Sequence, residues 1–157
     1  AERIEDIQEE RMMSRIAQLQ RDTKETKIFV KLDLDGSGKS DIDTGVGFFD
    51  HMLTLFAFHS GMDLCVQAKG DLEVCDHHVV EDTGIILGDL MKQALGDKRG
   101  IARYGNARVP MDETLCCVDL DFSGRSYLVC NCDLKRSAVS PAKCFRNFCV
   151  PSRCIAV

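Results

Sequence analysis

The sequence predicts an α+β fold, a sheet with helices on one face. Three features carry that expectation. Residues 26–35 place apolar side chains at every second position, two later stretches repeat apolar residues at helical spacing, and glycine-containing turn signals separate them. A chain of 157 residues suits one core of useful size.

In Thr26–Asp35, Ile28, Val30, Leu32 and Leu34 alternate with Lys27, Phe29, Lys31 and Asp33, which predicts a half-buried strand. Asp35-Gly36-Ser37-Gly38 is a turn signal, and Ser40–Thr44 follows as a short second strand. The string DLDGSGKSDIDT has the outline of a calcium loop. With Asp33 at its first position, however, the twelfth is Thr44 rather than the required glutamate, so an exposed hairpin turn is the better reading.

Phe48–Phe58 reads as a helix with Phe49, Met52, Leu53 and Phe56 as its stripe, stopped by Ser60-Gly61. Met62–Lys69 is then a strand, and Leu72-Glu73-Val74 a shorter one. Val80, Thr83, Leu87, Leu90, Met91 and Ala94 line a longer helix ending near Gly96, with Asp76 placed to cap its start. Thr114–Asp121 and Ser126–Leu134 are the last two strand candidates, divided by Ser123-Gly124-Arg125 as a hairpin signal. The order is β-β-α-β-β-α-β-β. The strand-rich unit after Gly105 has no helix to follow, so its sheet exposes an apolar face unless something covers it.

Residues 1–14 form a charged leader without an apolar signal core, and no run approaches the roughly 20 apolar residues of a membrane span. A net charge of −5 gives no general reason to expect nucleic-acid or membrane-surface binding, and a cytoplasmic setting is the default. Residues 133–157 differ in kind: they carry a local net charge of +4, leaving −9 for the first 132, and show no sustained period. Of the nine cysteines, Cys65, Cys75, Cys116, Cys117, Cys130 and Cys132 lie in or beside apolar runs and read as small buried hydrophobes rather than zinc ligands.

The chemistry concentrates in two motifs, FFDHM around His51 and DHHVVED with His77, His78, Glu81 and Asp82. On a helix, His77 and His78 stand four and three residues before Glu81, so each can approach it on one face. Imidazole and carboxylate together suit Mn²⁺, Fe²⁺ or Zn²⁺. Adjacent imidazoles diverge by about 100° on a helix, which fits two nearby metal sites or one site joining two subunits. One helix cannot supply a whole ligand set, so His51 would have to arrive from elsewhere. His59 reads as structural. Arg103, in GIARYG, and Arg125, in SGRSY, are the candidates for phosphate, whose geometry a guanidinium fork matches. Glu25, in TKETKI, is locally an ordinary surface acid.

Together the stretches RDTKETKI, LDLDGSG, DTGVGFFDHML, HSGMDL, AKGDLEVCDHHVVEDTGIILGD, ALGDKRGIARYG, PMDE and DLDFSGRSYLV resemble the imidazoleglycerol-phosphate dehydratases of histidine biosynthesis, in family order up to Val129. The resemblance implies removal of water from D-erythro-imidazole-glycerol phosphate to give imidazole-acetol phosphate. It implies two Mn²⁺ ions as cofactors, held partly by His51, His77, His78 and Glu81. It also implies an acid–base or substrate-contacting Glu25, phosphate-binding Arg103 and Arg125, and Met111 near the substrate. The implied fold is of the ribosomal protein S5 domain 2-like type, two similar half-domains, with trimers assembling into a 24-subunit shell whose active sites lie between subunits.

On that pattern residues 15–100 are the first half-domain, 101–132 the start of the second and 133–157 an atypical tail. The family's second HHxxE motif, further histidine and phosphate-binding lysine have no match after Val129. The expectation is therefore an incomplete second half-domain, consistent with a frameshifted or shortened gene. Beside the enzyme stand two alternatives, an inactive remnant that binds metal or joins an assembly, and a poorly folded fragment.

Overall fold

A computed structural model of the protein describes residues 15–125 and 127–129, together with the backbone of residues 155 and 156. Two sheets and two helices make up the described chain. Strands β1 (Ile16–Asp22), β2 (Thr26–Asp33), β3 (Ser40–Asp43) and β4 (Asp63–Gly70) form a sheet in the order β1-β2-β4-β3. All neighbours are antiparallel except β3 and β4, which run parallel. Helices α1 (Gly47–Ser60) and α2 (His77–Leu95) cover one face of it. Strands β5 (Tyr104–Met111), β6 (Thr114–Asp121) and β7 (Ile155–Ala156) form a second, antiparallel sheet.

The alternation read in β2 is the alternation of the fold. Ile28, Val30 and Leu32 are buried and pair across the sheet with Ala68, Val66 and Leu64 of β4, so both strands turn the same side to the helices. Ile86, Leu87, Leu90 and Ala94 of α2 and Phe49, Leu53 and Ala57 of α1 complete this core. The α1 stripe differs from the one expected. Its buried row is Phe49, Leu53 and Ala57, whereas Met52 and Phe56 join Phe48 and Phe58 on the exposed side. The helix is apolar nearly all round, which is why spacing alone did not identify its inner row. Gly61 closes it in the left-handed region, at φ 72°, as the sequence predicts.

Several expectations need correction. The turn at residues 35–38 does not close a hairpin, because β4 lies between β2 and β3. What holds that turn is Asp63 at the start of β4. Its carboxylate accepts from the backbone N–H groups of Ser37 (2.7 Å) and Lys39 (2.9 Å), and these bonds hold its pKa below the usual carboxylate value. Residues 72–74 are a turn, not a strand. Asp76 stands at the N-cap of α2 but makes no capping side-chain bond; only its carbonyl takes part, accepting from Val80 N–H at 3.1 Å.

Strand β1 was not expected, since Ala17 is its only buried residue, and it forms by hairpin pairing with β2. Nor was β5, whose Gly105 and Pro110 obscure a strand pattern; its place at the edge of the second sheet tolerates the proline. Of the strand expected at residues 126–134, the described part contains a single bridge residue, Leu128. Its remainder, and the expected incompleteness of the second half-domain, fall largely on residues 130–154, outside the described residues, as do the leader, Cys130 and Cys132.

The exposed face expected for the second unit is present: β5 is exposed throughout and β6 everywhere except Asp121. Cys116 and Cys117 are accordingly exposed rather than buried, and Cys65 and Cys75 are half-buried. Among the described residues no helix is long and apolar enough to cross a membrane.

Two stability experiments follow. Because the folded pKa of Asp63 is depressed, its ionised form stabilises the fold above the unfolded carboxylate pKa of about 3.9, and that contribution is lost as pH falls through the folded value. Asp63→Asn is therefore expected to flatten the acid side of a urea-midpoint profile between neutral pH and acid. The Thr83 hydroxyl is fully buried on α2 without a hydrogen-bond partner among the described residues. Thr83→Val removes that unpaired group at nearly constant volume, and thermal unfolding is expected to show a gain of about 1 kcal/mol.

Candidate functional site

The start of α2 carries the densest chemistry. His77 Nε2 lies 3.2 Å from Glu81 Oε2, one helical turn on. His78 points elsewhere. Its Nδ1 is 2.9 Å from Asp71 Oδ1 and 3.1 Å from Oδ2, in the turn after β4. With the proton on Nδ1 the ring donates to Asp71 and presents Nε2 outward, the usual way a carboxylate fixes a ligating imidazole. The hydrogen bond to Asp71 raises the His78 pKa, with smaller contributions from the charges of Asp71, Glu25 and Asp82. The two rings sit 5.9 Å apart at 64°, diverging as helical geometry requires.

Close packing puts these groups together. A side-chain carbon on Gly70 would lie 2.3 Å from Val79 Cγ2, so only glycine lets the first turn of α2 come this near the end of β4. Asp71 N–H donates to Glu25 O at 3.2 Å, which sets the Glu25 loop against the same edge. A second tie comes from Asp82. Its Oδ2 accepts from the buried Thr26 hydroxyl at 2.5 Å and its Oδ1 from Arg21 Nε at 3.0 Å. Thr26 Oγ1 is in turn 3.0 Å from Thr23 Oγ1, and the latter accepts from Glu25 N–H at 3.2 Å. Glu25, a surface acid on local evidence, is thereby fixed beside the histidine helix. Sequence reasoning gave no role to Asp71 and none to Asp82 beyond its place in the motif. Spacing contained a signal for Asp82, three residues from Thr83's neighbour Val79 and on the strand side of α2, but none for Asp71.

His51 is on the exposed side of α1, and no cluster of three or more His, Cys, Asp or Glu that could hold a metal occurs among the described residues. The neighbouring Asp50 has a structural task. It accepts from Thr44 N–H at 2.9 Å and from the buried Thr44 hydroxyl, fixing the entry to α1. His59 is exposed and stands edge-on to Phe58.

Arg103 is paired with a carboxylate at the end of β6. Arg103 Nε donates to Asp121 Oδ1 at 2.6 Å and its Nη2 to Oδ2 at 3.1 Å, while its guanidinium lies 4.9 Å from the Tyr104 ring centre. Asp121 is held below the usual carboxylate range first by the hydrogen bonds from Arg103, then by the charges of Arg103 and Arg125. Met111 is at the far end of the β5–β6 hairpin, about 23 Å from Tyr104 along the strand. Arg125 is near enough for its charge to act on the same carboxylate, whereas Met111 is at the other end of the hairpin.

The site thus sets paired imidazoles and a carboxylate, donors of the kind divalent metals take, on an α+β layer, with one ring braced by a second carboxylate. Residues 44–150 match the family model described as imidazoleglycerol-phosphate dehydratase, a match that extends past Val129. The chain is 54% identical to the imidazoleglycerol-phosphate dehydratase of Clostridium botulinum over 128 residues, 82% of this chain and 66% of that protein. It is 60% identical to that of an Exiguobacterium species over 121 residues, 77% and 62% respectively. Among solved structures it is similar to the dehydratase from Staphylococcus aureus, with TM-score 0.77 and 39% identity, covering 90% of this chain and 81% of that one. The Pyrococcus furiosus dehydratase gives TM-score 0.70 and 36% identity, covering 83% and 69%. The chain belongs to the imidazoleglycerol-phosphate dehydratase family. It spans a little under two thirds of the length of these curated relatives.

The Asp82 tie is open to direct test. Thr26→Val leaves one oxygen of a carboxylate only 13% exposed without its hydroxyl donor, and a loss of about 1–3 kcal/mol is expected in urea unfolding. Arg21 is 42% exposed, so Arg21→Ala is expected to lose less, about 1 kcal/mol at most.

Proposed function

We propose that this chain is a hydro-lyase that removes water from D-erythro-imidazole-glycerol phosphate to form imidazole-acetol phosphate in histidine biosynthesis. The observation that carries the reading is the edge where His78 follows the His77–Glu81 pair on α2 and is braced by Asp71, whose backbone is tied to the Glu25 loop. In the reaction the substrate loses the hydrogen of C2 and the hydroxyl of C3 as water, and the resulting enol becomes the ketone. Glu25, held on the same edge, is the acid–base group assigned to move the C2 proton. Arg103 and Arg125 hold the phosphate, with Asp121 keeping them in place until the anion arrives.

The donor chemistry fits Mn²⁺: His77, Glu81 and the outward nitrogen of His78 are imidazole and carboxylate donors, with His51 from α1 as a further one. When bound, the metal would polarise the substrate's imidazole. Because these donors do not gather into one cluster among the described residues, we assign them to sites completed from outside this stretch of chain. The same logic accommodates Met111, remote from the arginines, as a contact to substrate held by a neighbouring copy in a trimer-based shell. The first sheet and its two helices are, on this reading, the first half-domain of the ribosomal protein S5 domain 2-like fold.

The test is turnover of imidazoleglycerol phosphate by the purified chain with added Mn²⁺, with metal content measured on the same sample. Activity that His78→Ala abolishes is the expected result. Asp71→Asn is expected to weaken Mn²⁺ binding about 10- to 100-fold by releasing the His78 ring. Folded, metal-loaded protein without turnover would overturn the enzyme reading in favour of a metal-binding or assembly subunit.

A further inference from the structure

The charge balance of the phosphate subsite points to a residue that the sequence motifs pass over. A phosphate monoester carries about −1.5 to −2 charge near neutral pH. Arg103 is neutralised by its two hydrogen bonds to Asp121, so Arg103, Asp121 and Arg125 together present a single net positive charge. Among the described residues, one more cation beside these groups would match a dianion.

The segment after α2 supplies it. Lys98 and Arg99 are adjacent, but the structure treats them differently. Arg99 is tied to its own loop, with Nε 3.1 Å from Asp97 Oδ2 and its backbone N–H donating to Asp97 Oδ1 at 3.0 Å. Lys98 instead adopts φ 64°, a left-handed conformation that costs a lysine on the order of 1 kcal/mol, with its N–H donating to Leu95 O at 2.8 Å. Its ammonium reaches the turn after β6. A side-chain carbon on Gly124 would lie 2.8 Å from Lys98 Nζ, so the ammonium rests over the bare backbone of the residue immediately before Arg125. Gly124 is itself left-handed, at φ 85°, which favours glycine and keeps that space open.

We infer that Lys98 is a third cationic contact to the substrate phosphate, acting with Arg103 and Arg125 as one anion subsite. The inference rests on the dehydratase reading above for the identity of the anion. The subsite carries a net charge of two, and its ammonium contributes a point charge beside two planar forks. The left-handed backbone at Lys98 and the placement of its ammonium beside Gly124 occur together.

The experiment is titration of the purified chain with inorganic phosphate, followed by ³¹P NMR or calorimetry, for the unaltered protein and for Lys98→Gly, Lys98→Arg, Arg125→Ala and Lys92→Ala. Lys98→Gly relieves the left-handed strain, so thermal unfolding is expected to be unchanged or raised. Its phosphate Kd is nevertheless expected to rise about tenfold, as for loss of one charge-assisted contact. Lys98→Arg is expected to recover most of the affinity, and Lys92→Ala, on the exposed last turn of α2, to leave it within twofold. If Arg125→Ala weakens phosphate binding and Lys98→Gly does not, the inference fails while the arginine assignment stands. An equal loss with Lys92→Ala overturns it as mere overall charge. If neither Arg125→Ala nor Lys98→Gly weakens binding, both this inference and the placement of the phosphate fall.

Discussion

Packing of α2 across β2 organises the rest of the described structure. Ile28, Val30 and Leu32 on the strand and Ile86, Leu87 and Leu90 on the helix are buried in one cluster, and removing this apolar surface from water is the main force holding the layer together. Once the helix is seated, its first turn has one possible position, against the end of β4, where Gly70 leaves room for Val79. The histidines are carried there by the core rather than by any affinity between them.

Polar ties then fix what the core has brought near. Asp82 joins α2 to Thr26 and Arg21, and Asp71 joins the end of β4 to His78. These are side chain to side chain bonds, those of Asp82 spanning 56 and 61 residues of chain, and one of them involves Thr26, which is 2% exposed. A partly desolvated carboxylate needs its donors, so each tie resists displacement more than a surface ion pair would. The result is a rigid edge on which Glu25 and the imidazoles keep fixed relations, the condition for acid–base chemistry.

The second sheet follows a different rule. Its strands are paired but uncovered, with Val109, Met111 and Leu115 all more than half exposed. Electrostatics rather than burial shapes the end where Asp121 holds Arg103 and feels the charge of Arg125. On the proposed function, a phosphate arriving there would have to displace or share the carboxylate that Arg103 already holds.

Sequence alone determined the elements whose period is unambiguous. The β2 alternation and the apolar row of α2 were both legible, because burial on one face forces a fixed repeat. The family resemblance implied a shared site for Glu25, His51, His77, His78, Glu81, Arg103, Met111 and Arg125. Only tertiary structure decided which of these stand together. It set β4 between β2 and β3, joined Glu25 to the His78 edge and Arg103 to Asp121, and left Met111 at the other end of its hairpin. It also revealed Asp71, Asp82 and Lys98, whose partners are 7, 56 and 26 residues distant along the chain. A repeat records how a segment meets the core, whereas a contact between distant segments depends on strand order and helix seating, which no local pattern encodes.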